Sequence, residues 1–359
     1  MMKRYAVIMA GGHGERFWPA SRSHKPKQFL TLLGSRSLIQ QSFDRIHDFM
    51  PPEQILVVVG QEHLALAKEQ LPTLPAENFL VEPEGRNTAP CIGLAAIHIR
   101  KRDPGSVMLV FPADHLIQGQ TDFHLCLEKG FEWAADSDYL VTIGIMPSRP
   151  ETGYGYMERE EAAIDQKLPP VFPVRRFVEK PDVEKARDYV QSGHYYWNSS
   201  IFIWKADLIL DRMQAHLPEL YQGLLQIEST VGTEQESIVM NSVFPGLPRI
   251  SIDYGILEKS DRILMVQGDF GWDDLGSWAS LADHSAADEQ GMVIKGNYVG
   301  LDNSDCLVHG RDGLIAVLGV NDLVIVQAGD VILVCDKNRT QEVKDLVSLS
   351  KEKYGEKYL

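Results

Sequence analysis

The sequence predicts an α/β protein with a mixed, mostly parallel sheet, followed by a small all-β domain. In the first half, short β-branched apolar runs alternate with segments whose apolar residues recur at three- and four-residue spacing. From about residue 150, strand-like and helix-like segments follow each other less regularly. From about residue 285, the alternation of strand-like and helix-like segments ends. It gives way to short Val/Ile/Leu runs separated by Gly, Asn and Asp. We therefore predict two domains, at residues 1–284 and 285–359.

The alternating pattern defines the elements of the first half. Strands are predicted at residues 5–9, 55–60, 78–82, 107–114 and 140–145, with helices at 37–50, 62–71, 88–102 and 122–135. The carboxyl ends of parallel strands meet at one edge of a sheet, where such folds bind their ligands. The residues that follow these strands are therefore expected on one rim.

The second half contains further mixed elements and then the β-rich tail. Strands at 153–157, 174–180, 200–204 and 262–268 are interleaved with helices at 183–191, 208–215, 251–258 and 276–284. Residues 292–336 offer no helix-length segment and predict a β-solenoid or a small barrel. A terminal amphipathic helix is predicted at 340–353.

The composition is that of a soluble globular protein. Apolar residues make up 44% of the 359, charged residues make up 24%, and the net charge is −15. This acidic balance argues against general binding to nucleic acid or to membrane surfaces. The four cysteines are far apart in apolar surroundings and are expected to be reduced core residues. With no signal peptide and no long apolar stretch, a cytoplasmic location is expected.

A glycine-rich loop with several cations follows the first predicted strand. Its glycines are Gly11, Gly12 and Gly14, and the cations after them are Arg16, Arg22, Lys25 and Lys27. Glycines allow a sharp turn and close approach of backbone N–H groups to phosphate oxygens. The loop matches neither the Walker nor the dinucleotide pattern. A purely structural turn is the alternative, but the cations favour a polyphosphate site of a third kind.

Acidic residues after predicted strands suggest a metal site. Asp114 lies at the end of the strand predicted at 107–114, and Asp273 and Asp274 lie in a glycine-bounded loop before a predicted helix. Mg²⁺ bound to phosphates needs only one or two carboxylates. An isolated Asp114 is equally well explained as a cap of the next loop, and either acid of the second loop as a helix cap. Together with the phosphate loop, the acids favour one shared metal site.

Two further groups of polar residues lie at the ends of predicted strands or shortly beyond them. Glu82, Asn87 and Thr88 suit recognition of a base or ribose, although Asn87 or Thr88 is also a plausible helix N-cap. Glu179, Lys180 and Asn198 offer groups that hydrogen-bond sugar hydroxyls.

Several motifs together resemble those of the bacterial mannose-1-phosphate guanylyltransferases, which are sugar nucleotidyltransferases. The matching segments occur in family order at residues 10–19, 25–29, 82–90, 111–115, 152–156, 177–181, 197–198, 251–253 and 271–276. The resemblance is to the short form without a fused isomerase domain. It implies a Rossmann-like nucleotidyltransferase domain followed by a left-handed β-helix-like domain.

The resemblance also implies roles for individual residues. Arg16 and Lys27 would be catalytic, and Asp114 and Asp274 would bind Mg²⁺. Nucleotide-binding residues would be Gly11, Gly12, Gly14, Glu82, Asn87 and Thr88, and sugar-phosphate-binding residues would be Gly155, Glu179, Lys180, Asn198 and Asp253. One departure is Ser200, where the family usually carries glycine.

The implied reaction transfers GMP from GTP to mannose 1-phosphate and yields GDP-mannose and pyrophosphate. Three alternatives stay open: another sugar phosphate or nucleotide, a non-catalytic regulatory subunit that binds GDP-mannose, and a tail with acyltransferase-like activity. The tail has about 70 residues and an isolated His309, so we expect it to pack and to form a homodimer.

Overall fold

The structure is a computed structural model that describes residues 2–12 and 14–359. The chain divides into two compact units. Unit 1 comprises the described residues of Met1–Gly11, Phe43–Ala113 and Ile117–Trp272, and unit 2 those of Gly12–Ser42, Asp114–Leu116 and Asp273–Leu359. Compactness groups segments by contact and not by chain order, so the predicted boundary between 284 and 285 stays a prediction. Across the described residues, no helix is both long and apolar enough to cross a membrane.

The strands and helices are named here in chain order. The strands are β1 (Arg4–Met9), β2 (Ile55–Gly60), β3 (Phe79–Glu82), β4 (Val107–Pro112), β5 (Leu116–Ile117), β6 (Leu140–Ile145), β7 (Gly155–Arg159), β8 (Val171–Glu179), β9 (Tyr195–Lys205), β10 (Ile263–Gly268), β11 (Trp272–Asp273), β12 (Val293–Leu301), β13 (Leu307–Leu318), β14 (Leu323–Ala328) and β15 (Val331–Asp336). The α-helices are α1 (Leu38–His47), α2 (Leu64–Gln70), α3 (Thr88–Arg102), α4 (Gln120–Asp136), α5 (Val183–Ser192), α6 (Ala206–His216), α7 (Pro218–Glu228), α8 (Glu236–Val243), α9 (Ile252–Gly255), α10 (Trp278–Asp283) and α11 (Val343–Tyr354).

Unit 1 is built on a mixed sheet, as predicted. In the described part of the chain, its nine strands follow the order β3-β2-β1-β4-β9-β6-β10-β8-β7. The strands β1 to β4 pair in parallel, as do β6 and β10. Strand β9 pairs antiparallel with β4, β6 and β7, and β8 pairs antiparallel with β7 and β10. Parallel pairing therefore dominates only the first half, because β9 enters the middle of the sheet in the opposite direction.

Helices cover both faces of this sheet. Phe202 and Trp204 of β9 belong to the core cluster that contains residues of α3, α6 and α7. The intervening Ile203 points to the other face, since side chains alternate along a strand. There it meets α4 at Gly130, where an added Cβ would lie 2.3 Å from Ile203 Cδ1. The sheet of unit 1 is therefore covered by helices on both of its faces.

Unit 2 has its own core and its own sheet. In the described residues, β12, β13, β14 and β15 form a four-stranded sheet in that order. The first three strands pair in parallel, and β14 and β15 pair antiparallel. Buried apolar side chains from residues 17–38 pack with others from α10, the sheet and the start of α11. The all-β character predicted for residues 292–336 is confirmed, with α11 following as predicted for the terminal helix.

Candidate active site

The glycine-rich loop packs tightly against the segment that carries Lys27. Gly14 has φ +63°, and an added Cβ would lie 2.2 Å from the Cβ of Lys27. Only glycine satisfies both the left-handed backbone and the close contact. The side-chain Nε2 of Gln28 donates a hydrogen bond of 2.9 Å to the carbonyl of Gly12. The loop and the lysine segment are therefore fixed to each other.

Lys27 is a buried cation held by two oxygens. Lys27 is the first residue of a short 3-10 helix and is only 5% exposed. Its Nζ lies 2.9 Å from Asp114 Oδ2 and donates a 2.7 Å hydrogen bond to the backbone carbonyl of Asp274. We call Lys27, Asp114 and Asp274 the cation cluster. A buried charge is tolerated when it is paired and hydrogen-bonded, as this one is.

Electrostatics keep the Asp114 carboxylate charged. Burial would raise its pKa, but the charges of Lys27 and His115 and the hydrogen bond from Lys27 lower it below the ordinary value. The pKa of His115 is lowered by burial, which Asp114 and Asp274 oppose. Both carboxylates therefore act on the same imidazole.

The two adjacent acids, which the sequence does not distinguish, have different surroundings. Asp273 is buried, and its Oδ1 accepts hydrogen bonds from the amide of Leu275 and the hydroxyl of Ser280, at 2.7 and 2.6 Å. Its Oδ2 lies 3.3 Å from Nε2 of His284. These bonds tie Asp273 to the start of α10, which fits a structural role.

Asp274 lies beside Arg16. A Cβ on Gly276 would be 2.9 Å from Asp274 Oδ1 and 3.4 Å from Arg16 Nη1, so both side chains approach the same glycine. Arg16 also donates a 2.6 Å hydrogen bond from Nη1 to Oε1 of Gln341. Arg22, in contrast, bonds to the carbonyl of Pro19 and pairs with Asp330 at 3.0 Å. Arg22 therefore has a structural explanation.

The donor set of Asp114 and Asp274 is compatible with Mg²⁺ in the presence of a phosphate substrate. Carboxylate oxygens are hard ligands, and Mg²⁺ takes one or two of them together with water and phosphate. In the described part of the chain, no group of three or more His, Cys, Asp or Glu side chains could hold a metal ion alone. These residues could thus complete a site only with oxygens from a bound ligand.

In unit 1, Glu82 ends β3 as a buried carboxyl group. It is 3% exposed, and burial raises its pKa to about 7. Its Oε1 is buried without a hydrogen-bond partner among the described residues. Gly11 lies next to it, because an added Cβ there would be 3.1 Å from Glu82 Oε2. An unsatisfied buried acceptor is costly and suits a ligand that donates N–H or O–H groups.

Asn87 and Thr88 have clear structural roles. Asn87 is the N-cap of α3, and its side chain accepts a 2.8 Å hydrogen bond from the amide of Thr88. The hydroxyl oxygen of Thr88 accepts a 2.8 Å bond from the amide of Ile252. The helix-cap alternative is therefore realised, and a role of either residue in nucleotide binding stays a prediction.

The residues predicted to contact the sugar phosphate lie close together in unit 1. Asn198 donates a 3.1 Å hydrogen bond from Nδ2 to Asp253 Oδ1. A Cβ on Gly155 would lie 2.5 Å from Glu179 Oε2 and 3.4 Å from Asn198 Cβ. Lys180 Nζ lies 3.1 Å from Glu179 Oε1. We call Glu179, Asn198 and Asp253 the carboxyl cluster.

Burial shapes the charge state of the carboxyl cluster. Burial, followed by the nearby Glu179 carboxylate, raises the pKa of Asp253 to about 7. Burial also raises the pKa of Glu179, although Lys180 opposes the shift. Two carboxyl groups with raised pKa values thus lie beside one amide.

Sequence reasoning missed several residues around these clusters. Thr142 donates a 3.2 Å hydrogen bond to Asn198 Oδ1, and Glu258 Oε1 accepts a 3.2 Å bond from the amide of Glu179. The guanidinium of Arg149 lies 5.3 Å from the ring centroid of Trp197. None of the three follows a glycine-rich or acidic motif, so no local signal singled them out.

Two families match the chain along its length. Residues 5–291 match the Nucleotidyl transferase family, and residues 296–349 match the MannoseP isomerase/GMP-like beta-helix domain. The first match covers most of the elements of unit 1, and the second covers the four-stranded sheet and much of α11. The predicted fold class is confirmed.

Individual relatives and a solved structure agree with the family matches. A mannose-1-phosphate guanylyltransferase from Klebsiella pneumoniae is 39% identical over 98% of this chain and 75% of its own length. The alginate biosynthesis protein AlgA of Pseudomonas aeruginosa is 39% identical over 95% of this chain and 71% of its own length. A crystal structure from Thermus thermophilus, described as a mannose-1-phosphate geranyltransferase, has TM-score 0.88 at 34% identity, covering 98% of this chain and 100% of that one.

These matches span both units and agree with the motifs that the structure places in the two clusters. The protein is thus a nucleotidyltransferase, and the chain belongs to the mannose-1-phosphate guanylyltransferase family.

Proposed function

We propose that the protein transfers GMP from GTP to mannose 1-phosphate. An oxygen of mannose 1-phosphate forms a bond to the α-phosphorus of GTP, and the bond from that phosphorus to the β-phosphate oxygen breaks. The products are GDP-mannose and pyrophosphate. The attacking oxygen is already anionic, so the reaction needs no general base. Positioning and charge stabilisation therefore supply most of the catalysis.

The observation that carries the proposal is the buried Lys27 ammonium. It is held between Asp114 and the carbonyl of Asp274 and lies under the glycine-rich loop at Gly14. A fixed cation needs no reorganisation when negative charge develops on the phosphates and the leaving group. We propose that Lys27 stabilises the α-phosphoryl group and the departing pyrophosphate, with Arg16 on the triphosphate.

The proposal includes Mg²⁺ at Asp114 and Asp274. When bound, the ion would neutralise phosphate charge and orient the triphosphate. For the protein's own residues, this means that Asp114 would share its carboxylate between Lys27 and the ion. The lowered pKa of Asp114 supports this role, because the group stays ionised.

We propose that the carboxyl cluster binds the mannose ring. Carboxylate and amide oxygens accept hydrogen bonds from sugar hydroxyls, and the Asn198 amide is already oriented by Thr142 and Asp253. Gly155 leaves room next to Glu179 that any side chain would fill. Lys180, paired with Glu179, supplies a cation for the sugar phosphate.

For the nucleotide base, the proposal rests on Glu82. Its Oε1 lacks a hydrogen-bond partner among the described residues, and Gly11 lies against its other oxygen. The guanine edge presents N–H donors, which a carboxylate accepts. An unpaired acceptor at Glu82 therefore favours GTP. The test in the next paragraph also measures whether other nucleotides or sugar phosphates are used.

The test measures pyrophosphate release from GTP with and without mannose 1-phosphate, in the presence of Mg²⁺. We expect release that depends on the sugar phosphate and on the metal. Parallel reactions with ATP, UTP and glucose 1-phosphate report specificity. Release independent of mannose 1-phosphate would contradict the proposal, and GDP-mannose binding without turnover would favour a regulatory subunit.

We also propose a homodimer formed through the C-terminal sheet. Large apolar side chains lie exposed on adjacent positions of β12 and β13, namely Val299, Leu301, Leu314 and Leu318, with exposures of 52%, 69%, 65% and 70%. The register pairs Leu301 with Leu318. Contiguous exposed apolar surface marks interaction sites. Light scattering of the wild type and of a Leu318→Lys variant tests the homodimer, and a wild-type monomer would contradict it.

The cytoplasmic location of the protein stays a prediction.

A further inference from the structure

A cavity in unit 2 has basic side chains and, among the described residues that line it, no acidic one. Its volume is about 420 Å³, and it lies between residues 20–34 and the C-terminal sheet. Lys25, Lys295 and His309 line it, and none of its described lining residues is an aspartate or glutamate. The chain as a whole has a net charge of −15, so the basic lining of this cavity has the opposite sign to the net charge of the protein. The volume lies in the usual range for small-molecule sites.

Lys295 gives the cavity a cation without a carboxylate partner. Its Nζ donates hydrogen bonds to the carbonyls of Thr31 and Leu32, at 2.7 and 3.2 Å, and these are its partners among the described residues. Burial lowers the pKa of Lys295. The two neutral carbonyls accept from two of its three N–H donors and do not cancel its charge, so an anion in the cavity would be stabilised.

A second polar group points to a ligand. The amide of Gln327 lines the same cavity, and its Oε1 is buried without a hydrogen-bond partner among the described residues. Rotating the amide by half a turn presents its N–H₂ group at that position. Gly310 and Gly313 lie beside it, since Cβ atoms there would be 3.8 and 3.7 Å from the Gln327 amide.

We propose that this cavity is a binding site for a small phosphorylated molecule that is not a substrate of the proposed reaction. A phosphomonoester carries a charge of about −1.5 to −2 at neutral pH, and the Lys295 ammonium, held by neutral carbonyls, is a cation in the lining that would attract it. The lining includes no member of the cation cluster. Lys25 precedes Lys27 by two residues, so a ligand bridging Lys25 and Lys295 would hold the Lys27 segment against the sheet of unit 2.

The test is calorimetric titration of the full chain carrying Lys27→Ala, which weakens the proposed triphosphate site. The probes are glycerol 3-phosphate and inorganic phosphate, with glycerol and malonate as comparisons. We expect saturable binding of one glycerol 3-phosphate per chain and no binding of glycerol. Tighter binding of inorganic phosphate would identify the free ion as the preferred ligand. Equal binding of malonate would overturn the assignment to a phosphate group.

Variants locate the site. We expect Lys295→Gln to weaken binding at least about tenfold, whereas Lys344→Gln, which removes an exposed lysine of α11, leaves it unchanged. His309→Gln provides a second test if Lys295→Gln does not fold. Equal affinity in the Lys295, His309 and Lys344 variants would overturn the proposal, as would no saturable binding below about 10 mM. The titration contains neither GTP nor mannose 1-phosphate, so its outcome is independent of the proposed reaction.

Discussion

The cation cluster and the carboxyl cluster differ in the direction in which their surroundings shift the pKa values of their carboxyl groups. In the cation cluster, a buried ammonium is paired, and the pKa of Asp114 is lowered below its ordinary value despite burial. In the carboxyl cluster, burial dominates and raises the pKa of Asp253 to about 7 and that of Glu179 in the same direction. The cation cluster thus keeps a paired ammonium and carboxylate, whereas in the carboxyl cluster burial raises the pKa of both carboxyl groups.

The difference matches the chemistry of two proposed ligands. A polyanion such as GTP is stabilised by fixed cations, whose field is strong when water is excluded. A sugar ring presents neutral hydroxyls, which need oriented acceptors more than net charge. Each cluster therefore suits one kind of ligand and is poorly suited to the other.

The largest expected effect comes from removing the buried cation. Lys27→Ala should lower turnover by roughly 10³-fold, because it removes a preorganised charge at the reacting phosphate. Circular dichroism should show that the fold survives. Lys344→Ala removes an exposed lysine and should leave turnover unchanged. Turnover near that of the wild type in Lys27→Ala would exclude Lys27 from the mechanism.

The next effect concerns the glycine that fixes Lys27. Gly14→Ala should lower kcat/KM by about 10²-fold, because the new methyl group would displace the Lys27 segment. Gly34→Ala is the matched control: its φ of +68° is similar to the +63° of Gly14, but an added Cβ would contact nothing within 4 Å. Similar kinetic losses in both variants would show that backbone strain, and not the contact with Lys27, is responsible.

A third prediction concerns the buried carboxyl group of Glu82. Burial raises its pKa from 4.5 to about 7, so between these values the folded protein retains a proton that the unfolded chain has lost. Its contribution to the free energy of unfolding is full below pH 4.5 and lost as the pH rises to about 7.

Glu82→Gln cannot titrate, so its stability relative to the wild type should increase with pH. The change should approach about 3 kcal/mol between pH 4 and pH 8, measured by urea denaturation. Glu84→Gln, at a position where the side chain is 57% exposed, should show no such trend. A pH-independent difference for Glu82→Gln would contradict the raised pKa.

The smallest effect concerns the departure from the family pattern at Ser200. Ser200 has φ +58°, a left-handed conformation that favours glycine. Ser200→Gly should raise the free energy of unfolding by up to about 1 kcal/mol. Ser199→Gly should lower it, because the Ser199 hydroxyl is buried and donates a 2.7 Å hydrogen bond to the carbonyl of Ile143. The same sign in both variants would contradict this account.

Local sequence signals predicted much of the fold. The predicted bounds of β2, β6 and α3 coincide with the structure, because continuous apolar runs and a clear helical period end at turn residues. Helices α7 and α8 were not predicted. In α7, Gly223 weakens the local helical signal, yet packing requires it, since an added Cβ would lie 2.3 Å from Leu247 Cδ2. The position of α7 thus depends on a tertiary contact that the local sequence does not reveal.

In the candidate site, too, local motifs predicted some residues, while others depend on tertiary contacts. Motifs located Lys27, Asp114 and Asp274, which the structure brings together. The residue types alone left Asp273 and Asp274 open, and only the family resemblance favoured Asp274. The bonds from Leu275 and Ser280 give Asp273 a structural role that no sequence signal indicated. Nor could the sequence predict the bond from Arg16 to Gln341, which are separated by 325 positions.

The most direct test of the division between the clusters is steady-state kinetics of Asn198→Ala, with each substrate varied in turn. We expect the KM for mannose 1-phosphate to rise at least about tenfold, while the KM for GTP stays within about twofold of the wild type. Equal increases in both KM values would contradict the assignment of the carboxyl cluster to the sugar.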